Sequence, residues 1–342
     1  MSGRSERRAA ALERMEDEEH LNSLRGMLSY SWAMFYILVG GRGRGKTFVV
    51  QDYLAGSKIP FTWLRISPES TQKLLADDAR DFIDPIITRR YKLDLSVTGN
   101  YVTNHGKPFA RVDALQKMAK TKGVALFDAD SSEPVRIVLD EFNLETGKGG
   151  EKRTQDVVYT FVNSLETLLR NRTRDVKIFL MANTLEEASD ILMAFNFLPE
   201  EFGRFKLKKK RAVIEYIAPT EKYLERRKGT IADILMPTAS TFTNKIDTDT
   251  SLVNKKRLIS PTFSIVFRKD LRFTMWDSNV IAEYNGEKCP EIYMRPYLDG
   301  IYSQDQKNEI IARFDARAFT FKNLITFKKF QKELSLLRPV IR

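Results

Sequence analysis

The segment GGRGRGKT, Gly40–Thr47, constrains the fold more than any other part of the chain. It fits the spacing G-x-x-x-x-G-K-[ST], follows the apolar run Phe35–Val39 and precedes a helical pattern from Thr47 to Leu54. Glycines let a loop wrap so closely that its backbone N–H groups converge on one oxyanion, and the helix that begins there adds its positive end. A strand–loop–helix unit that cradles phosphates is therefore predicted. Gly40, Gly41, Arg42, Gly43, Arg44 and Gly45 would form the cradle. Lys46 would reach the β- and γ-phosphates, and Thr47 would hold Mg²⁺ through its hydroxyl. ATP and Mg²⁺ are the cofactors this implies.

A phosphate loop needs an acidic partner. The run VRIVLDEF, residues 135–142, supplies it as an apolar strand ending in Asp140 and Glu141. Asp140 would stand in the Mg²⁺ shell, and Glu141 would orient or deprotonate the attacking water, which favours hydrolysis over simple transfer. A further buried strand, VKIFLMANT at 176–184, ends in Asn183, placed beside the acidic strand to sense the γ-phosphate. The tetrapeptide NKID, Asn244–Asp247, mimics a guanine-reading motif. It lies about a hundred residues past Asp140 in a predicted linker, with no D-x-x-G after the acidic strand, so ATP is favoured over GTP.

Strand-like and helical runs alternate from Leu28 to Ala182, as in a parallel α/β sheet of the P-loop NTPase, RecA-like (ASCE) kind. Phe61–Ser67 reads as strand, Pro85 breaks a helical stretch, and residues 93–112 read as strands turning at Gly99 and Gly106. The helix between the acidic strand and the next one ends in LLRNRTRD, residues 168–175. That helix runs back from the nucleotide edge, so Arg170, Arg172 and Arg174 are expected to reach a neighbouring subunit's phosphates rather than their own. Cations also favour a helix C-terminus for their own sake.

Four segments follow: a polar arm at 1–24, helical or disordered; an ATPase domain at 25–200; a basic segment and linker at 201–260; and a C-terminal domain at 261–342. In the last, 263–267, 271–276 and 280–285 read as an antiparallel meander, followed by helices at Gln304–Ala318 and Lys322–Leu337. Residues 1–200 hold 28 basic and 28 acidic side chains and residues 201–342 hold 28 and 17, so the whole net charge of +11 lies in the last two-fifths. A neutral front and a basic back suggest two jobs, the second on a polyanion. The candidates for phosphate contacts are Lys206, Lys208, Lys209, Lys210 and Arg211 in KLKKKR, a loop at Lys148–Arg153, and Arg268, Lys269 and Arg272. No run of about 18 apolar residues exists to span a membrane, and no signal-peptide core is expected at the N-terminus. Cys289 is the only cysteine, which excludes an internal disulfide and fits a reducing compartment.

Taken together, MLSY before the first strand, GGRGRGKT, IVLDEF, LLRNRTR, MANT with FNFLPEEFGRF after it, FSIVF and the pair Trp276–Asp277 resemble the DNA-packaging ATPases of phi29-type tailed phages. The resemblance covers most of the chain. It implies an ATP-driven motor, a homo-oligomeric ring and commonly a pentamer, that moves double-stranded DNA into a procapsid at the portal (connector) vertex. A structural packaging RNA would tether the ring. The protein would act in the host cytoplasm, at the procapsid only transiently, and would be absent from the mature virion. The resemblance also puts the trans-acting arginine at Arg170 and a second trans-acting cation at Lys122, in preference to Lys120. It makes the C-terminal domain α+β and RNase H-like, a vestigial nuclease. The strand FSIVF brings no acid, and Asp270, Asp277 and Glu283 make no convincing triad, so DNA cleavage is not expected. Two other functions fit the motifs less fully. One is a helicase or recombination-type ATPase on single strands, and the other is a nucleotide-gated adaptor, against which Glu141 argues.

Overall fold

The computed structural model describes residues 24–41, 43–79, 82–118, 133–142, 157–169, 175–183, 190–199, 201–235, 251–254, 261–268, 271–276, 280–284 and 303–337. By contacts these fall into two units, the first running to Phe195 and resuming at Pro199–Asp247, the second comprising Asn196–Leu198 and Thr248–Arg342.

The strands of the first unit are β1 (Phe35–Val39), β2 (Phe61–Arg65), β3 (Leu95–Thr98), β4 (Tyr101–Asn104), β5 (Lys107–Ala114), β6 (Val135–Asp140), β7 (Val176–Ala182), β8 (Gly203–Leu207) and β9 (Ala212–Tyr216). They form one sheet in the order β3-β4-β5-β2-β6-β7-β1-β9-β8. The central strands β5, β2, β6, β7, β1 and β9 are parallel, and the antiparallel β3, β4 and β8 close the two edges. β6 is buried along its whole length and β1 and β7 nearly so, which is why their sequences are continuous apolar runs rather than alternating ones.

Helix α1 (Lys46–Ser57) returns from β1, and α2 (Pro68–Ala79) and α3 (Pro85–Tyr91) follow β2. On one face of the sheet Val49, Val50 and Leu54 of α1 join Tyr36, Trp63, Val138 and Phe179 in a single apolar core. Burying each such side chain stabilises the packing by about 1.5–3 kcal/mol. Pro85 opens α3 rather than breaking a longer helix. The Asp84 carboxylate caps it by accepting from Ile86 N at 2.8 Å, and a proline fits the first helical position. The remaining helices of this unit are α4 (Leu115–Met118), α5 (Val157–Leu169), α6 (Asp190–Ala194), α7 (Glu221–Arg227) and α8 (Ile231–Leu235).

The structure corrects the expected border at residue 200. β9 pairs in parallel with β1, from Phe35↔Ala212 to Val39↔Tyr216, and β8 pairs antiparallel with β9. What composition marks as a basic segment is thus the edge hairpin of the nucleotide sheet. The linker also narrows, because Val253 bridges Phe321 and Asn254 N donates to Phe321 O at 2.7 Å within the second unit.

That second unit has a four-stranded sheet ordered β10 (Pro261–Arg268), β11 (Leu271–Trp276), β12 (Val280–Tyr284) and β13 (Thr320–Phe321). The first three strands are the expected meander. β13, unforeseen in the sequence, adds a parallel edge to β12. Helices α9 (Gln304–Asp315) and α10 (Leu324–Leu337) complete it, α9 opening with a capping box between Ser303 and Gln306. Phe273, Phe319, Phe321, Phe327 and Phe330 are buried in its core.

Candidate functional site

β1, β7 and β6 lie side by side and end together, so the residues after them converge on one place. In an open parallel sheet this is where ligands bind, beyond the carboxyl ends of the strands. A cavity of about 480 Å³ opens there, lined by residues 43–48, Asp84, Asp140, Glu141, Met181, Ala182 and Asn183.

The loop from β1 to α1 forms one wall. Gly45 stands at the N-cap of α1 with φ 71°, a left-handed conformation that glycine adopts without a Cβ penalty. Gly40 is needed for space instead, since a Cβ there would lie 3.0 Å from Ile217 Cβ. Lys46 is buried, and its Nζ donates to Gly40 O at 2.7 Å, Gly41 O at 2.8 Å and Asn183 Oδ1 at 3.3 Å. The loop is therefore folded around its own lysine, and Asn183 is brought to that lysine from the end of β7. Thr47 lines the same wall.

Asp140 and Glu141 form the opposite wall. Asp140 is 3% exposed, and burial raises its carboxyl pKa to about 6 despite the charges of Arg65 and Lys46, which oppose the shift. Glu141 leaves the sheet at φ 53°, an uncommon angle for a non-glycine residue, and its side chain is half exposed. The next residue, Phe142, is buried and donates its N–H to Met181 O at 3.1 Å, which pins that turn.

Sequence reasoning missed Arg65, the last residue of β2. Its Nη2 lies 2.8 Å from Asp140 Oδ2, and its Nη1 donates to Glu141 Oε2. β2 neighbours β6, so one guanidinium spans both acids. The contact with Asp140 is an ion pair without an aligned hydrogen bond, because buried Asp140 Oδ2 accepts none. Asp140 and Thr47 line the same cavity and are oxygen donors of the kind a hard divalent cation takes, although Arg65 holds the carboxylate in this conformation. No local signal marks Arg65. Only the strand order gives it a role.

Arg44 lines the cavity through its place in the loop, but its side chain is held elsewhere. Its guanidinium turns away from the cradle, donating to Ala218 O at 2.9 Å and Thr220 Oγ1 at 3.2 Å, and lies 5.1 Å from the ring centroid of Tyr223. Thr220 is itself the N-cap of α7, accepting from Tyr223 N at 3.2 Å. The cradle is thereby tied to the segment after β9.

Lys46, Thr47, Asp140, Glu141 and Asn183 thus share one cavity. Arg42, Lys122, Arg170, Arg172, Arg174, Asp270, Asp277 and the loop Lys148–Arg153 lie outside the described residues. Lys206–Arg211 sit at the opposite end of the sheet, before β9, so they take no part in this cavity. Among the described residues no helix is long and apolar enough to cross a membrane.

No protein-family model and no curated protein matches the sequence. Solved structures do. The chain is similar to one of the bacteriophage Phi-29 viral genome packaging motor assembly, with 19% identity and a TM-score of 0.60 over 92% of this chain and 98% of the other. It is likewise similar to a chain of the Phi-28 gp11 DNA packaging motor, with 15% identity and a TM-score of 0.59 over 91% and 96%. The likeness to phi29-type packaging motors that the motifs carry therefore extends to the fold, along nearly the full length of these chains.

Proposed function

We propose that the chain is an ATPase that drives double-stranded viral DNA into a procapsid. The observation that carries this reading is the single cavity that unites the phosphate loop, two acids after a parallel strand and a polar strand end. The fold shared with two packaging motors supports the choice of task.

In this reading ATP binds with its phosphates in the loop 40–47. Lys46 leaves the carbonyls of Gly40 and Gly41 for the phosphate oxygens. Thr47 and Asp140 would hold Mg²⁺, which when bound would offset the charge that builds on the β- and γ-phosphates. Glu141 accepts a proton from the attacking water as the water oxygen bonds to the γ-phosphorus and the bond to the β–γ bridging oxygen breaks, leaving ADP and phosphate. Asn183, on Lys46, registers whether the γ-phosphate is present. In the conformation described, Arg65 holds Glu141, so hydrolysis requires that ion pair to open.

Arg170, next in sequence after α5, is assigned as a transition-state cation acting on the neighbouring subunit of a ring, commonly a pentamer, with Lys122 as a second such group. Arg42 stays assigned to the phosphate cradle. The ring would sit at the portal vertex with a structural RNA. The second unit is read as a nucleic-acid-binding domain of RNase H type that does not cut. Mixing tests the shared site. Arg170→Ala and Lys46→Ala should each lose ATP turnover, and a mixture of the two should regain part of it, because some interfaces then pair an intact loop with an intact arginine. A mixture as inactive as its components would contradict a site shared between subunits.

A further inference from the structure

The cationic run before β9 is not one strip. Lys206 belongs to β8 and turns onto an aromatic ring, its Nζ 4.8 Å from the centroid of Tyr30. Lys208, Lys209 and Lys210 form a single 3₁₀ turn, all exposed. Arg211 closes the turn at φ 50°, its N–H donating to Lys208 O at 3.0 Å.

The turn is anchored rather than loose. Arg211 O accepts from Met34 N at 2.7 Å and Phe35 N at 3.0 Å, which fixes it to the start of β1. Arg211 Nε donates to Trp32 O at 3.3 Å. The acid on the hairpin, Glu215, pairs with Arg204 away from the turn and is bound by it at 2.5 Å, so it does not neutralise the lysines. Consecutive side chains of a 3₁₀ turn point about 120° apart, so the three ammonium groups fan outwards. A fan of rigidly based cations does not enclose a single phosphate. It matches a convex polyanion bearing phosphates on both sides of a groove. The rings of Tyr30 and Trp32 offer no open shelf for unpaired bases, since Lys206 lies over the first and the two rings pack tilted at 6.0 Å. Contact would then be with backbone phosphates alone, which carries no sequence information.

We propose that Lys208, Lys209 and Lys210, on the turn between β8 and β9, contact the phosphate backbone of duplex DNA irrespective of sequence. The choice of DNA rests on the motor reading above, whereas the fan of cations does not. The turn precedes β9 and the phosphate loop follows β1, and β9 and β1 pair in parallel. A duplex held here would therefore lie at the far end of the strand pair from the nucleotide.

The test is binding of the full chain to a labelled duplex of about 30 base pairs, by fluorescence anisotropy, between about 50 and 200 mM salt. Each lost phosphate contact lowers the slope of log affinity against log salt by about 0.9. Replacing all three lysines by alanine should lower the slope by about 2–3, and replacing them by arginine should restore it. DNA-free ATP turnover should stay at the wild-type level, which also shows that the variant folds. An unchanged slope on DNA overturns the proposal, including the case where the slope falls only on an RNA duplex of equal length. If the slope falls as expected while the wild-type chain hydrolyses no ATP, the contact stands and the motor reading fails.

Discussion

At the residue scale both acids of the cavity are ion-paired to Arg65. Asp140 is buried with its carboxyl pKa raised to about 6, so between its ordinary value near 3.8 and about 6 the folded chain holds a proton that the unfolded chain does not. Its contribution to folding stability is present at low pH and is lost as pH rises through about 6. A cation at the site needs the ionised form, so its affinity runs the other way. Mg²⁺-nucleotide affinity should climb between pH 5 and 7 and level off above, read by calorimetry, about tenfold per unit of pH below the midpoint. Asp140→Asn should flatten that profile. Because the charge of Arg65 opposes the upward shift, Arg65→Ala should move the midpoint above that of the wild-type chain. The same variant frees Glu141 and should raise DNA-free turnover. A midpoint and basal rate both unchanged in Arg65→Ala would mean that the ion pair restrains neither acid.

At the element scale the phosphate loop has a second attachment through Arg44, which holds the cap of α7. Thr220→Val removes the cap and one of the two acceptors of Arg44, leaving Ala218 O, and should cost about 1 kcal/mol of stability, read in denaturant unfolding. Equal stability of the two proteins would leave the link without energetic weight. That the loop 40–47, Asp140, Glu141 and Asn183 come together is legible in the sequence because each follows or ends a continuous apolar run. Arg65 is not, since its role depends on β2 lying beside β6, a pairing between segments about seventy residues apart. The sequence places the hairpin of β8 and β9 in a basic segment outside the ATPase domain for a similar reason. Its charge is local, whereas its pairing with β1 spans more than 170 residues. The two-residue β13 is too short to leave any periodic signal. Arg44 fits a loop motif by position, yet nothing local reveals that its side chain leaves the loop.

At the scale of the whole molecule, a larger unit with a cationic hairpin at its sheet edge is joined to a smaller one that shows four strands and two helices among the described residues. The sequence likeness and the fold point to the same class of motor, and the reaction proposed for it is hydrolysis of ATP at the ends of β1, β6 and β7. The most direct measurement is steady-state ATP turnover by the purified chain with duplex DNA, alongside Glu141→Gln and with nucleotide affinity measured in parallel. With Glu141 as the general base, the variant should lose turnover by about 10²–10⁴-fold while binding nucleotide within about twofold of wild type. Turnover at the wild-type rate in Glu141→Gln, or none in the wild-type chain at any concentration of protein and DNA, would contradict this reading.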